Sequence, residues 1–135
     1  RWGEACKAAN VQFAYHNHDF EFARIGDQVP YDVLLAETDP ELVKMELDLY
    51  WITYAGFDPL VYFQQHPGRF PLCHVKDMTA DRQMVDVGQG PIDFVKIFAQ
   101  AAGVQLQHYF VEHDQPADPL ASIRRSYEYL SQLTF

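Results

Sequence analysis

Cysteine is scarce in this chain. Two occur in 135 residues, Cys6 and Cys73, far apart and without CxxC spacing. That excludes a disulfide-stapled scaffold and a cysteine-based zinc site, and both are read as reduced core thiols. Long apolar runs are missing too, and none nears the roughly 20 residues needed to cross a bilayer. Basic residues are few: 10 Lys and Arg stand against 19 Asp and Glu, a net charge of −9. Phosphate recognition needs a basic footprint, so nucleic acid is not the expected main partner. A solvated acidic surface accounts for this balance equally well. The chain lacks a GxSxG elbow and any clear Cys, His and Asn arrangement, so nucleophilic hydrolysis has no support. The GQG at 88–90 lacks the remainder of a phosphate-loop or dinucleotide pattern. No initiator Met and no export leader open the sequence; RWGEACKAAN reads instead as a helix already under way. The natural N-terminus is therefore expected upstream, and the expected compartment is the cytoplasm.

What is present is the composition of a folded domain: 48% hydrophobic, 21% charged, with 10 Phe and 8 Tyr. Residues 1–135 fit one domain with a sizeable core. Helix and strand signals alternate. Trp2, Ala5, Cys6 and Ala9 share a helical face, with Asn10 as terminator. VQFAYH is a β-prone run, and YDVLLAET a short helix with Pro30 in its first turn. LVKMELD is a second strand, followed by a helix from Asp58 and Pro59. PLCHVKD is a third strand, and GQGPIDFVKIFAQAAG a helix stopped by Gly103. QHYFVEHD is a fourth strand, and Asp118 caps a closing amphipathic helix. Four strand-then-helix units force parallel strands with helices over the sheet, an α/β fold. The strands read as nearly continuous apolar runs, as strands buried on both faces do.

Each strand ends in a potential metal ligand: His16, Asp48, His74 and Glu112. Parallel sheets and barrels bring the carboxyl ends of their strands to one face, where active sites are built. Two imidazoles with two carboxylates suit Mn²⁺, Co²⁺, Zn²⁺ or Fe²⁺ better than Ca²⁺. Every member also has a plainer reading. His16 and His18 could be loop histidines, and Asp48 could cap the turn DLYW. His74 could be a hydrogen-bonded strand-end histidine, and Glu112 could be neutralised by an arginine. Trp51, in the aromatic run LYWITY, fits core packing or an apolar wall for a sugar ring.

Together YHNHDFEF, ELDLYW, HVKDM with VGQG, and FVEHD resemble the sugar phosphate isomerase/epimerase group of the xylose-isomerase-like TIM barrels. The resemblance runs from about Val11 to the final helix. It implies the C-terminal half, four βα units, of a (β/α)₈ barrel that holds a divalent metal at its strand ends. Mn²⁺ is the first expectation, with Co²⁺, Zn²⁺, Fe²⁺ or Mg²⁺ as alternatives. By position, Asp48, His74 and Glu112 match the family's metal-binding Asp, His and last-strand Glu. Where many epimerases of the group carry a glutamate, this chain has His16. Where some carry a substrate-binding His, it has Trp51. The YHNH stretch is closer to inosose dehydratase-like and 3-keto-sugar-processing members.

The implied chemistry is proton abstraction beside the carbonyl of a sugar, keto-sugar or cyclitol, giving isomerisation, epimerisation or loss of water. Glu112 or His18 would move the proton, and Lys76 would hold an oxyanion or phosphate. Trp51, Lys76 and Asp77 are the candidates for substrate contact. A half-barrel is also expected to self-associate or to pair with the other half. The rival readings are a metal-dependent hydrolase like the endonuclease IV barrels, and a non-catalytic half-barrel that only binds or assembles.

Overall fold

The computed structural model describes residues 1–134, the side chains of residues 101 and 102 excepted. The order is α1 (Trp2–Ala8), β1 (Phe13–His16), a 3₁₀ turn (Phe20–Phe22), α2 (Pro30–Glu37) and β2 (Val43–Asp48). There follow α3 (Leu49–Tyr54), α4 (Pro59–Gln65), β3 (Leu72–Val75), β4 (Asp77–Met78) and β5 (Met84–Val85). The chain continues through α5 (Phe94–Ala99), α6 (Ala101–Val104), β6 (His108–Val111) and α7 (Pro119–Leu130). Strands β1, β2, β3 and β6 lie in that order in one parallel sheet. Strands β4 and β5 form a separate antiparallel ribbon. The expected α/β architecture of four strand-and-helix units is present.

Local signals explain most boundaries. Asn10, at φ 57°, ends α1 in the left-handed conformation that asparagine tolerates. Asp58 and Asp118 accept backbone N–H bonds from Leu60 and Ala121 at the starts of α4 and α7. Pro30, Pro59 and Pro119 occupy first-turn positions, where a missing N–H costs nothing. Gly103 is not the stop it was expected to be. It lies inside α6, and the left-handed residue that follows this helix is Gln105, at φ 62°.

The strands alternate rather than run apolar throughout, because the two faces of the sheet have different surroundings. Met45, Leu47, Cys73 and Val75 are fully buried on the helix face. They pack in one core with Tyr31 and Leu35 of α2, Leu49 and Ile52 of α3, Phe63 of α4, and Phe94 and Ile97 of α5. Burial also pushes the Cys73 thiol far above its usual range, in keeping with an inert core residue. Side chains two residues apart share a face. The opposite face therefore carries Glu46 and Asp48 from β2 and His74 from β3.

Two helices depart from their expected orientation. In α1, Trp2 is exposed, and the buried residue is Gly3, where a Cβ would sit 2.7 Å from the Leu42 carbonyl oxygen. In α7 the apolar residues Leu120, Ile123 and Tyr127 face outward, while Ser122 and Ser126 are buried. Both serines have work inside. The Ser126 hydroxyl accepts the Val87 N–H at 3.1 Å. The Ser122 hydroxyl donates to the buried Asp86 carboxylate, which also takes the Arg125 guanidinium.

His113 Nδ1 completes this network, 3.2 Å from Asp86 and 3.1 Å from Ser122. Both partners meet the same ring nitrogen, whereas a nucleophilic relay needs them on opposite nitrogens. The network is thus a clamp between the loop after β5 and α7. Burial alone would raise the Asp86 pKa, but the bonds from Ser122, Arg125 and His113 outweigh it and hold the carboxyl below its usual range. A depressed folded pKa stabilises the fold above the ordinary carboxylate pKa and loses that contribution as pH falls through the folded value. Urea denaturation midpoints measured between pH 7 and pH 3 should therefore fall on acidification. Asp86→Asn should be less stable at pH 7 and decline less steeply.

Candidate metal centre

The site begins with the carboxylate of Asp48, the last residue of β2, which is fully buried. Its two oxygens are divided. Oδ1 accepts the backbone N–H groups of Tyr50 and Trp51, both at 3.0 Å, and so caps α3. Oδ2 faces His16 Nε2 at 3.0 Å and Lys76 Nζ at 3.3 Å. The Asp48 backbone N–H is held in turn by the buried Asn17 Oδ1 at 3.0 Å. The expected cap thus uses one oxygen of Asp48 and leaves the other turned toward His16 and Lys76.

Strand register supplies the neighbours. Asp48 pairs with His74 across β2 and β3, and His16 pairs with Glu46 across β1 and β2. The rings of His16 and His74 come to 4.1 Å between centroids. His16, Asp48 and His74 thus offer ligand atoms all within 4.8 Å of one another, and they are the one such group among the described residues. Glu112 follows β6, and its Oε2 lies 2.7 Å from His74 Nδ1. Of the four strand-end residues, His16, Asp48 and His74 converge, and Glu112 adjoins them through His74.

A divalent cation fits this donor set. His74 Nδ1 is buried and, among the described residues, receives no well-directed hydrogen bond despite the nearby Glu112 oxygen. An orphaned ring nitrogen aimed into carboxylates is costly unless something else takes it up. Asp48, Glu112, Glu46 and Asp114 also outnumber the one ammonium among them, which favours a further positive charge.

Lys76 is 2% exposed, with Nζ 2.8 Å from Glu112, 3.2 Å from Asp114 and 5.8 Å from the centre of the Trp51 ring. Burial alone would depress its pKa, but Glu112, Asp48 and Asp114 outweigh that and raise it. Lys76 is therefore a fixed cation, unsuited to accepting a proton at neutral pH. Burial would likewise raise Glu112, and Lys76 and His74 outweigh it, so Glu112 stays ionised. At the rim, His18 stacks on Phe20 at 5.7 Å and lies 5.5 Å from Trp51 and 5.0 Å from His16 between ring centres. Glu21 holds this loop by accepting from the Tyr15 hydroxyl at 2.7 Å and the His18 N–H at 2.8 Å.

Asp77 does not join the cluster. It is fully buried, and its carboxylate accepts the N–H groups of Met78, Gly88 and Gly90 at 2.9, 3.0 and 2.9 Å. A Cβ on Gly90 would lie 2.0 Å from the Met78 carbonyl oxygen, so the second glycine of GQG is required by close approach. The site also contains residues not singled out in the sequence: Asn17, Glu46 and Asp114. Glu46 carried a readable signal, since it stands two residues before Asp48 on the same strand face.

No protein-family model matches the chain. It is 26% identical to an inosose dehydratase of Geobacillus kaustophilus over 98% of its own length and 50% of that protein. A sugar phosphate isomerase/epimerase from Parabacteroides distasonis superposes with TM-score 0.85 at 30% identity, over 95% of this chain and 47% of the other. The chain is a half-barrel of the xylose-isomerase-like sugar phosphate isomerase/epimerase fold. It is related to inosose dehydratase-type enzymes. A probable 3-DHS dehydratase from Bacillus anthracis shares the fold with TM-score 0.75 at 19% identity, over 97% of this chain and 53% of the other. The half-barrel spans about half the length of these proteins.

The divided carboxylate predicts that cap and site can be separated by mutation. Asp48→Asn keeps an acceptor for the Tyr50 and Trp51 N–H groups but loses the charge beside His16 and Lys76. Asp48→Ala loses both, and a lost cap costs about 1 kcal/mol. Urea denaturation should show Asp48→Ala less stable than Asp48→Asn by about that amount, while calorimetry should find Mn²⁺ binding weakened in both.

Proposed function

We propose that this half-barrel belongs to a divalent-metal-dependent enzyme acting on a sugar, keto-sugar or cyclitol, by removing a proton next to a carbonyl. The observation that carries the reading is the His16, Asp48 and His74 cluster, with its orphaned Nδ1, set beside an ionised Glu112 and a buried Lys76 cation. Isomerisation, epimerisation and elimination of water share that first step. The relation to inosose dehydratases, together with His16 in place of a glutamate, favours elimination from an inosose or a 3-keto-sugar.

His16, Asp48, His74 and Glu112 would hold the ion, with Mn²⁺ the first candidate and Co²⁺, Zn²⁺, Fe²⁺ or Mg²⁺ behind it. When bound, it would supply Lewis-acid polarisation of the substrate carbonyl. Glu112, ionised and at the open end of the cluster, would take the proton from carbon. Lys76, held charged by three carboxylates, would face negative charge developing on oxygen, which is where a fixed cation lowers a barrier most. His18 would return a proton to the leaving or receiving oxygen. The rim of Trp51, Phe20 and His18 would pack the carbon face of the ring and keep water from it. Asp77 has no part in this scheme, since its oxygens are engaged by the GQG loop.

A hydrolase using several zinc ions would need further ligand groups, and one group is found among the described residues. No helix among them is long and apolar enough to cross a membrane. On this reading the exposed β6 edge and the α7 stripe of Leu120, Ile123 and Tyr127 meet either a second copy or the other half of a barrel.

The test joins metal content to proton exchange. Elemental analysis of the assembled protein should find about one divalent ion per cluster, lost in His74→Ala. In deuterated water an inosose or 3-keto-sugar should exchange the hydrogen beside its carbonyl. Glu112→Gln should slow that exchange by at least about 100-fold, the usual span of general acid–base catalysis. A protein that holds no metal in any assembly would sink this reading.

A further inference from the structure

Resting on the metal-centre reading above, we infer that Glu46 is a positioning residue that fixes which ring nitrogen of His74 carries the proton. Glu46 shares the Asp48 face of β2, one step deeper along the strand, and places Oε1 3.2 Å from His74 Nε2. The opposite ring nitrogen, Nδ1, lies 3.7 Å from Asp48 Oδ2. A neutral imidazole has one N–H and one lone pair, and the group beside one nitrogen decides the role of the other. A carboxylate at Nε2 draws the proton there and leaves the Nδ1 lone pair facing Asp48 and His16, where a cation would need it. Glu112 competes, since its Oε2 lies 2.7 Å from Nδ1. Neither contact is a well-directed hydrogen bond, but the Glu112 oxygen also lies 2.8 Å from Lys76 Nζ, whose ammonium takes up its charge. Among the described residues Glu46 has no comparable rival partner: its contact is with His74. Carboxylates behind metal-binding histidines act in this way generally, and their loss weakens metal binding about 10- to 100-fold.

The decisive measurement needs no substrate. Long-range proton–nitrogen correlation spectra of the metal-free chain should show His74 protonated at Nε2. In Glu46→Ala an Nδ1–H form should appear, and calorimetry with Mn²⁺ should show affinity reduced by about 10- to 100-fold. Glu46→Gln, whose amide oxygen can accept the same proton, should restore the Nε2–H form and most of the affinity. Glu46→Leu gives the same readout as alanine with the side-chain volume kept, should the alanine variant fail to fold. His74 protonated at Nδ1 in the parent chain would overturn the inference, and so would an unchanged tautomer in both Glu46→Ala and Glu46→Leu. A tautomer that shifts as expected in a chain that binds no Mn²⁺ would support the hold of Glu46 on the ring while overturning the metal-centre reading.

Discussion

The Asp48 carboxylate is the joint on which both the local fold and the candidate site depend. Its Oδ1 ends the strand by capping α3, so the chain turns away from the sheet at that point. Its Oδ2 is thereby locked in direction before any ligand arrives and points to His16 and Lys76. A side chain free to rotate would have to be ordered on binding, at an entropic cost. Here the helix cap has already ordered it. Asn17 does the same for the Asp48 backbone and lies between His16 and His18, so the first strand end is tied to the second through one buried amide.

The sheet's two faces explain why charge can gather at this spot. Met45, Leu47, Cys73 and Val75 anchor the helix face in the core, and alternation then forces Glu46, Asp48 and His74 onto the other. A buried carboxylate is expensive unless paired or bonded. Buried Asp48 has the α3 cap and two cationic or imidazole groups, half-buried Glu46 has the His74 ring, and the more exposed Glu112 has the Lys76 ammonium. Asp77 and Asp86 show the other solution, in which a buried carboxylate is consumed by loop N–H groups or by a clamp. Six acidic residues near the strand ends thus divide by partner, Asp48, Glu112, Glu46 and Asp114 toward the cluster and Asp77 and Asp86 toward structure.

That division sets how far the site could be read from residues alone. Strand order, the capped helices α4 and α7, and the four ligand-type strand ends were legible because periodicity, Asp-Pro pairs and strand-end placement are local patterns. LYWITY hid the helix α3, since aromatics suggest strand and the deciding bond comes from the Asp48 side chain. The inward serines of α7 were hidden because Leu120, Ile123 and Tyr127 mark the apolar face, while Asp86, distant in sequence, draws the polar one inward. Asp77 read as a candidate for substrate contact, and only the close approach of Gly88 and Gly90 shows where its oxygens go. Glu46 passed unnoticed because the strand-end pattern stops at the last residue, whereas a side chain two positions earlier shares its face.

The pairing of Glu112 with Lys76 is what gives the cluster a direction. A carboxylate and an ammonium at 2.8 Å neutralise each other at rest, and neither is then available to a proton on carbon. A substrate oxygen that came between them would take over the ammonium and leave Glu112 with a less stabilised charge, hence a stronger base. On the proposed mechanism, basicity at Glu112 would rise only once a substrate oxygen takes up the Lys76 ammonium, so the base stays masked until substrate is in place.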